Sequence, residues 1–145
     1  FTCNSCVVAE IYEERLIAFA AECNKAGSKV GFVAINVNTG KADALPEMKK
    51  RAEKRKFGFT YLYDPSQKTA QSYGAMFTPE CFVLNKDRKV VYMGAFDDKP
   101  SGDAKAKYVA DAVQAALNGK AAPTGETTAS AGCKIVWNKK KSDDD

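Results

Sequence analysis

The sequence predicts an α/β fold in which a mixed β-sheet is flanked by helices. Three observations carry that expectation. Apolar positions recur at helical spacing in two long stretches, and short β-branched runs lie between and after them. The 145 residues suffice for one buried core but not comfortably for two. Apolar residues make up 45% and charged residues 28% of the chain, the balance of a folded domain rather than a disordered one.

The elements follow in order. From Asn4 onward, Val7, Val8, Ile11, Tyr12, Leu16, Phe19, Ala20 and Cys23 recur three and four apart. Glu10, Glu13, Glu14, Arg15 and Glu22 fill the other side, which predicts a long amphipathic helix. Gly27 is the expected stop. Val30 to Val37 is apolar and β-branched, too short for a helix, and reads as a strand buried on both faces. Asn38 to Ala44 reads as a polar loop, and Pro46 opens a charged helix to about Lys56. Tyr61 to Tyr63 is extended. Asp64-Pro65 then starts a short helix that runs to Tyr73-Gly74. Cys81 to Leu84 and Val90 to Gly94 flank Asn85-Lys86-Asp87-Arg88 as a hairpin. Asp103 to Leu117 is a second amphipathic helix, and Cys133 to Trp137 is extended again after a Thr/Ala/Gly-rich linker. The expected organisation is a domain at 1–118, a linker and C-terminal clasp at 119–138, and a frayed charged tail at 139–145.

Composition excludes several function classes. There is no histidine, which removes His-dependent triads, imidazole metal ligands and histidine bases together. No apolar run approaches the roughly 18 residues of a spanning helix, so no membrane span is expected. The net charge of +4 concentrates in Pro46–Thr60, where Lys49, Lys50, Arg51, Lys54, Arg55 and Lys56 face only Glu47 and Glu53. No aromatic side chains interleave the six cations as a nucleic-acid platform requires, so the run reads as the solvated side of a helix, with no nucleic-acid partner.

Chemistry is concentrated in the five cysteines. Cys3-Asn4-Ser5-Cys6 places two thiols three apart at the start of the first helix. Unpaired amides and the positive helix end there favour a thiolate at Cys3, and Cys6, one turn on, is placed to attack a mixed disulfide. Structural zinc wants four ligands, and neither a second cysteine pair nor a histidine is present to complete them; no metal is expected. A disulfide across so short a loop contributes little stability, so redox work is the better account of the pair. Cys23 and Cys81 fall at apolar positions and read as small buried hydrophobes. Cys133 follows the linker Gly119–Ala131, which is long enough to reach most of a small domain. Ile135 and Trp137 are too apolar to leave in water, so the segment must dock. Docking at the Cys3–Cys6 end makes Cys133 a third redox thiol, whereas docking on the far side makes the segment a structural clasp, which is the expectation.

Four stretches, FTCNSCVVA at 1–9, YGAMFTPECFVLNKD at 73–87, YMGAFDDKP at 92–100 and GCKIVW at 132–137, make the chain resemble the thioredoxin superfamily. More narrowly, it resembles the peroxiredoxin-like redoxins related to the AhpC/TSA proteins. The resemblance implies a thioredoxin-like fold and a thiol–disulfide oxidoreductase with Cys3 attacking and Cys6 resolving. It implies that Pro79 is held cis beside the pair, its missing N–H leaving adjoining backbone free for an extended substrate, and that Thr78 lies against the disulfide. It implies substrates that are protein or small-molecule thiols and disulfides, a thioredoxin-type reductant as a further partner, and no cofactor beyond the cysteine pair. Asp97 and Asp98 match a paired acidic element, for which a solvated or capping turn is the plain alternative.

This sequence departs from the group at Cys81, a strand position that is commonly an ordinary apolar residue, and in two further places. Val7 stands where many relatives have proline after the second cysteine, and Cys3 stands where peroxidases of the wider family place threonine or serine. The departure at Cys3 argues against the alternative of a thiol peroxidase using Cys6; a non-catalytic binding module is the remaining alternative. In the group's fold a central strand precedes the cysteine motif, so the chain, which opens at Phe1, reads as an N-terminally truncated piece. Direction of the redox reaction and compartment, cytoplasmic or periplasmic/secreted, stay open.

Overall fold

The computed structural model describes residues 1–129 and 131–139. The charged tail expected at 139–145 falls, from residue 140 on, outside the described residues. In chain order the elements are α1 (Val7–Cys23), β1 (Val33–Asn36), a 3-10 turn (Lys41–Asp43), α2 (Leu45–Arg55), β2 (Thr60–Tyr63) and α3 (Lys68–Tyr73). They continue with β3 (Phe77–Thr78), β4 (Cys81–Leu84), β5 (Val90–Gly94), α4 (Tyr108–Leu117) and β6 (Cys133–Lys134).

Helix α1 starts at Val7, where the apolar rhythm begins, three residues after the expected start at Asn4. Asn4 and Ser5 form a lead-in, and Cys6 is the N-cap, its sulfur accepting from Ala9 N–H at 3.4 Å. The helix ends at Cys23, and Gly27 takes its left-handed φ of +80° in the turn beyond. Ala9, Tyr12, Leu16, Ala20 and Cys23 form the buried stripe, which leaves Val7 and Ile11 exposed on its flank. Glu13 is buried as well. It accepts from Arg51 Nε at 2.7 Å and Arg55 Nε at 2.8 Å, so two guanidinium groups of the basic run dock α2 onto α1 instead of facing solvent.

Strands β1 and β2 pair in parallel from Val33↔Thr60 to Asn36↔Tyr63. The expected hairpin is β4 with β5, antiparallel from Cys81↔Gly94. Strand β6 pairs antiparallel with β3 through Phe77↔Lys134 and Thr78↔Cys133. The single mixed sheet that the pattern predicts is thus present as three two-stranded pieces. A channel of about 540 Å³ separates β1 from β4, lined by Val33, Ile35, Phe82, Leu84, Phe19 and Val109 among others. Beside it β1 is not buried on both faces as expected: Ala34 and Asn36 are buried, while Val33 is half exposed. Phe1 and Thr2 enter one end of the channel. Thr2 N–H donates to Ile35 O at 2.9 Å, and Glu80 N–H donates to Phe1 O at 3.0 Å.

Helix α4 begins at Tyr108 rather than Asp103, because residues before it are held in a loop by Asp98 N–H to Ala106 O at 3.2 Å and Lys105 N–H to Asp98 Oδ1 at 2.9 Å. Its buried Val109 and Ala112 pack with Val83 and Tyr92 of the hairpin. The segment after α4 does not hang free. It runs along β5, with Met93 N–H donating to Gly125 O and Thr127 N–H to Met93 O. Gly94, at φ +136°, permits this approach, since a Cβ there would strike the Thr127 backbone. Ile135 then buries against Val37, Ala70 and Ala75.

Gln67 secures that C-terminal run. Fully buried, it donates from Nε2 to Val37 O and Val136 O, both at 2.8 Å, and accepts at Oε1 from Asn138 N–H at 2.7 Å. Gln67→Ala leaves these backbone groups without partners, and an unmet buried polar group costs about 1–3 kcal/mol. The expected result is faster amide hydrogen exchange at Ile135–Asn138 with the exchange of α4 unchanged. Equal protection in both proteins would contradict this role.

Candidate active site

Four pieces of chain meet at the site: the lead-in to α1, the 3-10 turn, the step after β3, and β6. Asp43, fully buried at the end of the 3-10 turn, holds the lead-in. Its Oδ1 accepts from Asn4 N–H at 2.6 Å, Ser5 N–H at 3.2 Å and Asn36 Nδ2 at 3.1 Å. The Asn4 side chain adds two more ties, donating to Ala42 O and accepting from Tyr61 OH, each at 2.9 Å. Burial, reinforced by the nearby Cys3 and Asp43, raises the Tyr61 phenol well above its ordinary range, which keeps it a donor.

The Thr78–Pro79 bond is cis, as the resemblance implies. Glu80, buried just beyond it, turns its carboxylate back to accept from Met76 N–H at 2.6 Å and Phe77 N–H at 3.1 Å, which secures β3. Thr78 touches all three cysteines of the site. Its Oγ1 lies 3.2 Å from Cys3 Sγ, its carbonyl oxygen lies 3.0 Å from Cys6 Sγ, and its backbone is in register with Cys133.

The C-terminal segment departs from expectation most. Instead of clasping the far side, it docks at the Cys3–Cys6 end, and Cys133 is disulfide-bonded to Cys6 with a Cα–Cα distance of 5.9 Å. That separation is within the reach of a disulfide. The linker length permitted either placement; the decision comes from contacts that spacing does not reveal. Ile135 inserts beside Val37, Val136 N–H donates to Asn38 Oδ1 at 3.1 Å, and Gly132 lets the chain pass Thr78. A Cβ on Gly132 would sit 2.9 Å from Thr78 O. Cys3 is left as a free thiol, only 4% exposed, with Ser5 Oγ donating to it at 3.6 Å. Nor is Cys6 one helical turn beyond Cys3, because Cys3–Ser5 precede the helix.

The remaining cysteines stand apart. Cys23 is buried at the end of α1, and Cys81 is half-buried beside the hairpin core rather than fully enclosed. Burial pushes the Cys81 thiol up to about 11. At pH 8 only about one molecule in a thousand then carries the Cys81 thiolate. After reduction, iodoacetamide at that pH is expected to label Cys81 last in the native protein and at an ordinary rate in denaturant. Rapid native labelling of Cys81 would contradict this.

Asp97 is not the solvated turn residue of the plain alternative. It is buried and accepts from Tyr12 OH at 2.8 Å and Arg15 Nη1 at 2.6 Å, fixing the loop after β5 to α1. Asp98 does hold a turn, through Lys105 N–H. The residues that sequence reasoning missed are Asp43, Asn38, Gln67 and Glu80. All four are polar residues in loops or flanks, and nothing in their local sequence marks them as buried. Among the described residues no helix is long and apolar enough to cross a membrane, and no group of three or more His, Cys, Asp or Glu side chains is placed to hold a metal ion.

The fold has counterparts among known proteins. A family model for the AhpC/TSA family matches residues 1–93. A crystal structure of a hypothetical protein from Sinorhizobium meliloti 1021 superposes with a TM-score of 0.83 at 33% identity, covering 97% of this chain and 78% of that one. A crystal structure of an uncharacterized conserved protein from Geobacillus kaustophilus gives 0.85 at 31% identity, covering 97% and 76%. No curated protein matches.

Proposed function

The chain belongs to the AhpC/TSA family of thioredoxin-like redoxins, and on that premise we propose that it is a thiol–disulfide oxidoreductase working through a Cys3/Cys6 couple on protein or small-molecule thiols and disulfides. The observation that carries this reading is the convergence of both sulfurs on Thr78, beside the cis Pro79. In the reductive direction the Cys3 thiolate attacks a substrate disulfide, forming a mixed disulfide and releasing one substrate thiolate. The Cys6 thiolate then attacks the Cys3 sulfur. A Cys3–Cys6 disulfide forms and the second substrate thiolate leaves, so the substrate gains the two electrons that the pair loses. Pro79 and Thr78 bind the substrate: proline lacks an N–H and Thr78 ends β3, whose edge suits an extended peptide once β6 has released it. The test is insulin reduction by the full chain with dithiothreitol as reductant. Reduction above the dithiothreitol background is expected, and none would contradict the reading.

One observation favours a second reading. Cys6, at a helix N-cap and bonded to a distant cysteine, has the arrangement of an attacking thiol with a resolving partner. As a peroxidase site it has little cationic support, since Arg15, Arg51 and Arg55 are engaged by Asp97 and Glu13. Consumption of hydrogen peroxide, with thioredoxin as reductant and without insulin reduction, would select this alternative.

The proposal extends to the sheet. The channel between β1 and β4 is the seat of one further strand, parallel to β1 where Thr2 already bridges Asn36, and antiparallel to the Glu80 end of β4. Such a strand would join the two flanking pieces into one mixed sheet. Channel-facing amides of β1 and β4 should exchange quickly in the 145-residue chain; strong protection there would contradict the idea.

A further inference from the structure

We propose that Cys133 is a third redox thiol, one that takes the disulfide from Cys3–Cys6 onto Cys6–Cys133 and in doing so closes the substrate edge. The inference rests on the oxidoreductase reading above and adds a step to it. Three observations support it. Cys133 packs against the cluster formed by Cys3, Cys6 and Ala9, so all three sulfurs occupy one pocket of the fold. Cys6 is bonded to Cys133 while Cys3 is a free thiol. Finally, β6 lies antiparallel on Phe77–Thr78, the edge that an extended substrate would use beside Pro79.

The added step balances within the chain. After Cys3–Cys6 has formed, the Cys133 thiolate attacks Cys6 Sγ. The Cys6–Cys133 bond forms, the Cys3–Cys6 bond breaks, and Cys3 leaves as a thiolate that takes up the proton Cys133 gave up. No net oxidation or reduction accompanies the step. Cys3 is regenerated, yet the enzyme is shut: Cys3 is buried, and the strand edge carries the chain's own residues. A reductant that opens Cys6–Cys133, a dithiol of the thioredoxin type, frees the edge and returns all three thiols for another substrate. Gly132 and Gln67 make the closure fit, the first by its close passage over Thr78 O and the second by holding Val136 and Asn138.

The experiment starts from the fully reduced full-length chain mixed with less than one equivalent of oxidised glutathione. Samples are acid-quenched over time, alkylated and mapped by mass spectrometry, with released glutathione measured in parallel. The wild type should show Cys3–Cys6 early and Cys6–Cys133 late, with Cys3 alkylated at the end. The late form should exceed the early one by roughly tenfold or more, because the docking of β6 on β3 and of Ile135 in the core favours the Cys6–Cys133 bond and about 1.4 kcal/mol of such preference is tenfold. Cys133→Ser should release the same glutathione per molecule and stop at Cys3–Cys6. If the wild type reduces glutathione but ends at Cys3–Cys6 with Cys133 alkylated, the relay is wrong and the oxidoreductase reading survives. If Cys133→Ser fails to fold, the wild-type time course decides alone. If no glutathione is released, both readings fall.

Discussion

Cys3→Ser is expected to lower disulfide-reductase turnover by roughly a hundredfold or more, because a hydroxyl is not a competent nucleophile toward sulfur near neutral pH. The fold should tolerate the change. Cys3 is buried with its sulfur 3.2 Å from Thr78 Oγ1, and a serine hydroxyl can keep a hydrogen bond to the same partner. Docking of the C-terminal segment does not depend on Cys3 either, since it also rests on buried Ile135, on the β3–β6 pairing and on Gln67. Insulin reduction alongside a denaturant melt separates the two effects. Undiminished turnover with a normal melt would remove Cys3 from the chemistry.

Asp43→Ala is expected to destabilise the domain by about 3 kcal/mol, since it leaves one buried side-chain donor and two partly buried backbone amides without their acceptor. Asn4 N–H and Ser5 N–H lose the carboxylate that fixes the residues between the two cysteines, and Asn36 Nδ2 loses a partner in β1. Turnover should fall with stability, because the same bonds position Cys3. Asp43→Asn keeps an acceptor oxygen and should recover most of both losses. Chemical denaturation measures the first effect and insulin reduction the second. A melt unchanged in Asp43→Ala would show that the lead-in is held by other contacts.

Much of the fold was legible in the chain because its apolar rhythm is strong. Cys81–Leu84 and Val90–Gly94 are the observed hairpin strands to the residue; the thioredoxin superfamily was readable from the cysteine motif together with Thr78-Pro79, and the narrower AhpC/TSA family from the stretches at 92–100 and 132–137. What escaped depends on contacts far apart in sequence. Strand β3 is two residues long and exists because β6 pairs with it, so no local pattern announces it. The division of the sheet at the channel likewise reflects what lies between β1 and β4, not their own residues. At the site, the cysteine motif and the cis proline step carry recognisable sequence. Asp43 does not: Lys41-Ala42-Asp43 looks like any polar loop until the turn brings its carboxylate under Asn4 and Ser5. Cys133 was visible as a candidate, but a flexible linker sets only how far it can travel, and the docking of Ile135 decides where it stops.

The most direct test of the central claim is to trap the first covalent intermediate. The full-length variant carrying Cys6→Ser and Cys133→Ser has neither thiol that could resolve a bond to Cys3. Incubated with oxidised glutathione and acid-quenched, it is predicted to accumulate one glutathione adduct, located on Cys3 by peptide mass mapping and removed by dithiothreitol. Cys23 and Cys81 should stay unmodified, since Cys23 is buried and burial raises both thiols above their ordinary values. An intact folded variant that forms no adduct on Cys3, or that carries the adduct on Cys23 or Cys81 instead, would contradict the account.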